Sequence, residues 1–157
     1  MRLIYVMLIA LLFWVIIGIV VACRAQALTI DMGVIAEIES GGDPLAHNKR
    51  TDARGKYQIT RICLSDFNAY KNKGYKMGDM FEEAKCYEVS YWYLNERIPS
   101  MLRHYGKDSN SVRLRLIAYN AGITYTLGQR VLPQETLDYI AKYRRLTNKG
   151  GRDEKGG

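Results

Sequence analysis

A mainly α domain behind an N-terminal apolar segment is the fold class that the sequence predicts, and three observations predict it. Apolar residues beyond about residue 29 recur at intervals of three and four, the period of a helix with one buried face. Gly, Asn or Pro closes these runs, residues that tolerate left-handed backbone or cannot continue a helix. Alternating runs joined by a two-residue turn, the mark of a hairpin-built sheet, are missing. The 157 residues suffice for one globular unit with its own core. The expected division is residues 1–27 as a membrane anchor or signal segment, 28–147 as the folded domain and 148–157 as a flexible tail.

Leu3 to Ala22 carries no charge. At about 1.5 Å per residue in a helix it reaches about 30 Å, the thickness of the hydrocarbon layer. Three readings of it compete. The run is long for a secretory signal, although Ala25-Gln26-Ala27 would serve as a cleavage site. Val20-Val21-Ala22-Cys23 looks like a lipobox, which would make Cys23 the lipidated first residue of a lipoprotein. Run length favours an uncleaved anchor. Arg2 votes for a cytoplasmic N-terminus and Arg24 on the other flank weakens that vote. Every reading puts the domain outside the cytoplasm, first as an inner-membrane protein facing the periplasm or exterior.

The first helix of the domain has Met32, Ile35 and Ile38 on one face, Asp31 or Thr29 as its cap, and Gly41-Gly42 with Pro44 to stop it. Ala46 to Lys56 is polar and rich in turn formers, so a loop or short irregular strands is expected there. Ile59 to Tyr70 and Met80 to Ile98 read as helices. In the second, Ala84, Tyr87, Tyr91, Leu94 and Ile98 form one apolar stripe that Pro99 ends. Asn110 or Ser111 caps a helix whose Val112, Leu116 and Tyr119 share a face before Gly122. A last helix runs from about Gln134 to Leu146, carrying Tyr139, Ile140 and Tyr143, and Gly150 to Gly157 reads as a disordered charged tail.

The net charge is +7 and the pI near 9.3, so a nucleic-acid partner has to be weighed. Much of the excess is dispersed or sits in a tail with Arg144, Arg145, Lys149, Arg152 and Lys155, and no nucleic-acid-binding motif accompanies it. No nucleic acid is expected, and a basic surface suits other polyanions equally well. Cys23, Cys63 and Cys86 are an odd set. Cys63 and Cys86 form either a pair in an oxidising compartment or two buried thiols that never meet. His47 and His104 lack metal spacing, so no metal and no cofactor are expected.

Four short motifs carry the chemistry. Glu39-Ser40-Gly41-Gly42-Asp43-Pro44 is followed by Gly55-Lys56-Tyr57-Gln58-Ile59, then Ala118-Tyr119-Asn120-Ala121-Gly122, then Glu135-Thr136-Leu137-Asp138-Tyr139-Ile140. In this order, over roughly residues 30–145, they resemble lytic transglycosylases of the soluble-transglycosylase, goose-lysozyme-like type. The resemblance implies a lysozyme-like fold and cleavage of the β-1,4 bond between N-acetylmuramic acid and N-acetylglucosamine, with a 1,6-anhydro product. It implies peptidoglycan strands as substrate, and a wall opener for secretion, conjugation or phage machinery, or a housekeeping remodeller.

Helical phase separates the candidate acids. Glu39 lies one turn beyond Ile35 on the apolar stripe, whereas Glu37 is about 200° away and faces solvent. Glu39 also sits at the negative end of the helix dipole, which with burial disfavours its carboxylate and suits a general acid. The resemblance gives Glu39 the later role of base as well. It also implies that Gln58 lines the groove, that Tyr119 and Asn120 lie beside Glu39, and that Tyr139 approaches the reacting sugar. Asn48 stands where many members carry a substrate-contacting Ser, and Lys56-Tyr57 replace an apolar pair. Ser40 follows the catalytic Glu in the motif and is counted with the substrate groove, although bracing of the helix end suits it better. Two flanking carboxylates serve most glycosidases, and neither Asp43 nor Asp52 matches a family acid. The absence of such a pair fits the substrate-assisted route that the resemblance implies, in which the acetamido group of the substrate is the nucleophile, with Asp52 the candidate base if the enzyme hydrolyses instead. Tyr87, Tyr91, Trp92 and Tyr93 read as core residues more readily than as a sugar platform.

Overall fold

The computed structural model describes residues 29–128 and 130–153, together with Trp14. The Leu3–Ala22 segment lies outside that range apart from Trp14. Among the described residues no helix is long and apolar enough to cross a membrane.

Helix α1 (Met32–Ser40) starts where Asp31 accepts a hydrogen bond from the Val34 amide at 3.1 Å, and it ends at Gly41, whose φ of 65° is left-handed. Ile35 and Ala36 go into the core while Glu37 stays exposed. A two-stranded antiparallel hairpin follows, β1 (His47–Asn48) against β2 (Ala53–Arg54), with His47 opposite Arg54 and Asn48 opposite Ala53. Gly55 then passes so close to the chain at Met80 that a Cβ would stand 1.9 Å from its carbonyl oxygen. Helix α2 (Arg61–Lys71), capped by Thr60, closes at Asn72, and a 3-10 turn at Met77–Phe81 leads on.

Helix α3 (Glu83–Trp92), a π turn (Tyr93–Arg97) and helix α4 (Ile98–His104) succeed one another without a break. Pro99 therefore does not end the helix. The π turn widens the ladder just before it, Ile98 N–H reaching back to the Tyr93 carbonyl, so a residue without N–H and with a bulky ring is accommodated at the start of the next segment. The extra residue also shifts the phase. The buried side is Cys86, Val89, Ser90, Leu94 and Ile98, while Ala84, Tyr87 and Tyr91 face out, the two tyrosines stacking on each other at 5.7 Å. Trp92 meets the core expectation, edge-on to Phe67.

Helix α5 (Val112–Ala121), capped by Ser111, runs through the middle of the core with Leu116, Ile117 and Ala118 buried. A 3-10 turn (Ile123–Leu127) returns the chain to helix α6 (Gln134–Asp153), which packs on α1 and α5. Helix α6 continues past Leu146 and through Gly150. Nothing between Thr147 and Lys149 breaks it, and glycine lowers helix propensity without obstructing the backbone. The Tyr143 hydroxyl accepts the Asp31 amide hydrogen at 2.9 Å, tying α6 to the start of α1. Cys63 and Cys86 are buried free thiols.

Candidate active site

Glu39 lies in the last turn of α1, half-buried, and the phenol of Tyr139 on α6 donates a hydrogen bond to its Oε1 at 2.8 Å. The two residues are 100 positions apart, so the packing of α6 on α1 creates the contact. Burial pushes the Glu39 carboxyl up to about 7; the Tyr139 hydrogen bond lowers it, the nearby Glu135 carboxylate raises it and Lys142 lowers it again. A carboxyl that is near half-protonated at neutral pH can both give and take a proton there. Burial and the same glutamate hold the Tyr139 phenol well above its usual range, so it stays a donor.

Glu39 opens onto a cleft of about 580 Å³. One wall comes from the hairpin and the segment after it, with Asn48, Thr51 and Gln58; the floor from Tyr93, Tyr119 and Asn120; the other wall from Glu135, Asp138, Tyr139 and Lys142 of α6. Of the residues that the sequence singles out, Glu39, Asn48, Gln58, Tyr119, Asn120 and Tyr139 line this cleft. Ser40 does not. Its hydroxyl donates to the Lys56 carbonyl at 2.8 Å, fastening the end of α1 to the segment that carries Gln58.

Several polar groups are already engaged. Tyr119 donates its hydroxyl hydrogen to the Tyr57 carbonyl at 2.8 Å, leaving Ser90 as donor in the 3.2 Å contact between the two hydroxyls. The ring of Tyr119, rather than its hydroxyl, therefore faces a ligand. Gln58, held at a φ of 49°, spends its amide hydrogens on the Gly55 and Ala46 carbonyls at 3.0 and 3.3 Å, which leaves its Oε1. Asn120 is the converse case. Its Oδ1 accepts from Thr136 at 2.8 Å, so its amide hydrogens are the free ones. Asn48 Oδ1 accepts the Arg50 and Thr51 amides and shapes the hairpin turn.

Neither loop acid is placed as a water-activating base. Asp43 closes its own turn on the Leu45 amide at 2.8 Å. Asp52 is held by Arg54, His47 and Arg61, at 2.8, 3.0 and 2.6 Å, and its hydrogen bond from Arg54 foremost keeps its carboxyl below the usual range. It does not line the cleft. The acids that do, besides Glu39, are Glu135 and Asp138, with Lys142 on the same wall. They were missed as site residues in the sequence, although their spacing around Tyr139 at i, i+3, i+4 and i+7 is a helical-face signal. Among the described residues no group of three or more His, Cys, Asp or Glu is arranged to hold a metal.

A family model described as the transglycosylase SLT domain matches residues 29–135, more than half of the chain. Comparison with curated proteins and with solved structures gives no match.

Proposed function

The chain belongs to the transglycosylase SLT domain family, whose members are lytic transglycosylases acting on peptidoglycan, and we propose that it cleaves the MurNAc-β-1,4-GlcNAc bond to leave a 1,6-anhydro end. The observation that carries this reading is Glu39, half-buried on Tyr139 with a pKa of about 7, in a cleft from which Asp43 and Asp52 are withheld. In the first step the Glu39 proton goes to the leaving glycosidic oxygen as the acetamido oxygen of the same muramyl residue attacks C1. In the second, the Glu39 carboxylate takes the proton of the 6-hydroxyl, whose oxygen displaces the acetamido group and closes the ring. No water enters, and Glu39 ends protonated as it began. Asn120 offers its amide hydrogens and Gln58 its carbonyl oxygen to the sugar, and the Tyr139 phenol steadies the carboxylate between the steps.

Mass spectrometry of released muropeptides tests the reaction. The expected muramyl ends are lighter than hydrolytic ones by the elements of water; reducing muramic acid as the main product refutes the proposal. Hydrolysis is the second reading, supported by the presence of Glu135 in the cleft, and a third is a docking subunit without turnover, which predicts that Glu39→Gln changes nothing. Peptidoglycan lies outside the cytoplasm, so we place the domain there, carried by Leu3–Ala22 as an anchor, with a lipidated Cys23 or cleavage before Leu28 as the other routes. Under the anchor reading the full chain sediments with membranes and resists high-salt extraction; a mature protein whose mass starts at Leu28 overturns it.

A further inference from the structure

We propose that Lys142 recognises a carboxylate borne by the muramyl residue, and so decides which state of the peptidoglycan the enzyme accepts. The inference rests on the reading of the substrate given above. Lys142 stands on the α6 wall three residues beyond Tyr139, within electrostatic reach of Glu39. Its nearest partner by helix geometry is Asp138, one turn back. That carboxylate takes its hydrogen bond from Gln134 instead, on Oδ1 at 2.9 Å, and forms no ion pair with Lys142. Among the described residues Lys142 takes part in no hydrogen bond and no ion pair.

The Lys142 side chain is half-buried along the cleft wall, and when Glu39 is protonated for the first step that carboxyl no longer offers it a negative charge. A cation on the wall without a hydrogen bond or ion pair of its own among the described residues is available to an anionic group of the ligand. N-acetylated sugar rings are neutral. The anions of this polymer hang from the muramyl residue, either as the free lactyl carboxylate of stripped glycan or as carboxylates of the attached peptide. Glu39 exchanges protons with the glycosidic oxygen and then with the 6-hydroxyl of the muramyl residue, so a cation on the same wall lies within reach of that residue's substituent, and the neighbouring glucosamine offers it no anion. Glu135 and Asp138 make the N-terminal part of the wall acidic, so a carboxylate is favoured at the Lys142 end.

The test crosses one side chain with one substrate group. The parent chain, Lys142→Met and Lys142→Arg are compared on intact peptidoglycan, on glycan stripped of its peptides by an amidase, and on both after methylamidation of their carboxyls. Lys142→Met is expected to raise KM roughly tenfold on an unblocked substrate, the scale of a charge-assisted hydrogen bond, with little change on the blocked one and recovery in Lys142→Arg. A loss on intact wall that vanishes on stripping identifies a peptide carboxylate; a loss on stripped glycan identifies the lactyl group. An equal loss on blocked and unblocked substrates overturns the proposal. Sedimentation binding in a Glu39→Gln background reads the same contrast without turnover, so absence of cleavage by the parent would count against the reaction and leave the carboxylate contact to be judged by binding.

Discussion

Replacing Glu39 by Gln should remove the chemistry and make the domain more stable in mild alkali. The carboxyl titrates at about 7 in the fold against 4.5 unperturbed, chiefly because burial disfavours its charge. Below pH 4.5 it is protonated whether the chain is folded or not, and its burial carries no ionic cost. Between the two values the folded chain binds more protons than the unfolded one, so stability falls as pH rises; above about pH 7 both are ionised and the full cost persists. A rise from 4.5 to about 7, at about 1.36 kcal/mol per pH unit, corresponds to about 3 kcal/mol. Solvent in the cleft screens part of that, and about 1.5–3 kcal/mol is a fair range. Gln keeps the shape and can still accept from Tyr139, without charge. Urea unfolding of the parent and Glu39→Gln should then agree near pH 4 and diverge by about 1.5–3 kcal/mol in favour of the variant at pH 8. Wall-lysing activity should fall at least about a hundredfold. The exposed Glu37→Gln is the control, flat in both assays. A stability difference that is absent at pH 8, or equal at pH 4 and pH 8, refutes the argument from burial.

Tyr139→Phe removes the hydrogen bond that favours the ionised Glu39, so the alkaline limb of the kcat profile should move to higher pH and kcat should drop more than affinity; an unmoved limb in a folded variant breaks the Glu39–Tyr139 link. Gly55→Ala places a Cβ 1.9 Å from the Met80 carbonyl at a φ of 76°, and a loss of about 2–4 kcal/mol is expected on thermal or urea unfolding. A neutral result there would mean that the segment carrying Gln58 is not pressed against the Met77–Phe81 turn.

What could be read from the sequence is what local rules determine. The position of Glu39 against Glu37 followed from helical phase, and short polar side chains before apolar runs narrowed the caps to Asp31 or Thr29 and to Asn110 or Ser111, of which the fold uses Asp31 and Ser111. The stripe through Tyr87 and Tyr91 failed because one extra residue in the π turn rotates everything before it by about 100° relative to Leu94 and Ile98. Nothing local announces such a turn. The partners of polar groups were also hidden. Tyr119 and Tyr139 are both cleft tyrosines from tyrosine motifs, yet one phenol is spent on a backbone carbonyl and the other on Glu39. That difference is settled by which chain segment packs over each ring.

The two walls of the cleft consequently have different duties. On the hairpin side Asn48 and Gln58 spend hydrogen-bonding capacity on the backbone, and outside the cleft Ser40 does the same from the end of α1 while Asp52 is locked among three basic groups. Turning Asp52 toward a water beside the sugar would strip Arg54 and Arg61 of their shared carboxylate and loosen the hairpin itself. That is a poor route to a general base, because breaking such a network costs more than one ion pair at the surface. On the α6 side the charges are unspent, apart from the Gln134–Asp138 bond. Under the proposed reaction, a change from ring closure to hydrolysis would have to come through Glu135, the carboxylate that already bears on Glu39, and under the proposed carboxylate contact a change of substrate would come through Lys142. Both lie on a single helix that meets Glu39 through Tyr139, so on these proposals a shift of α6 along α1 would alter acidity and selectivity together.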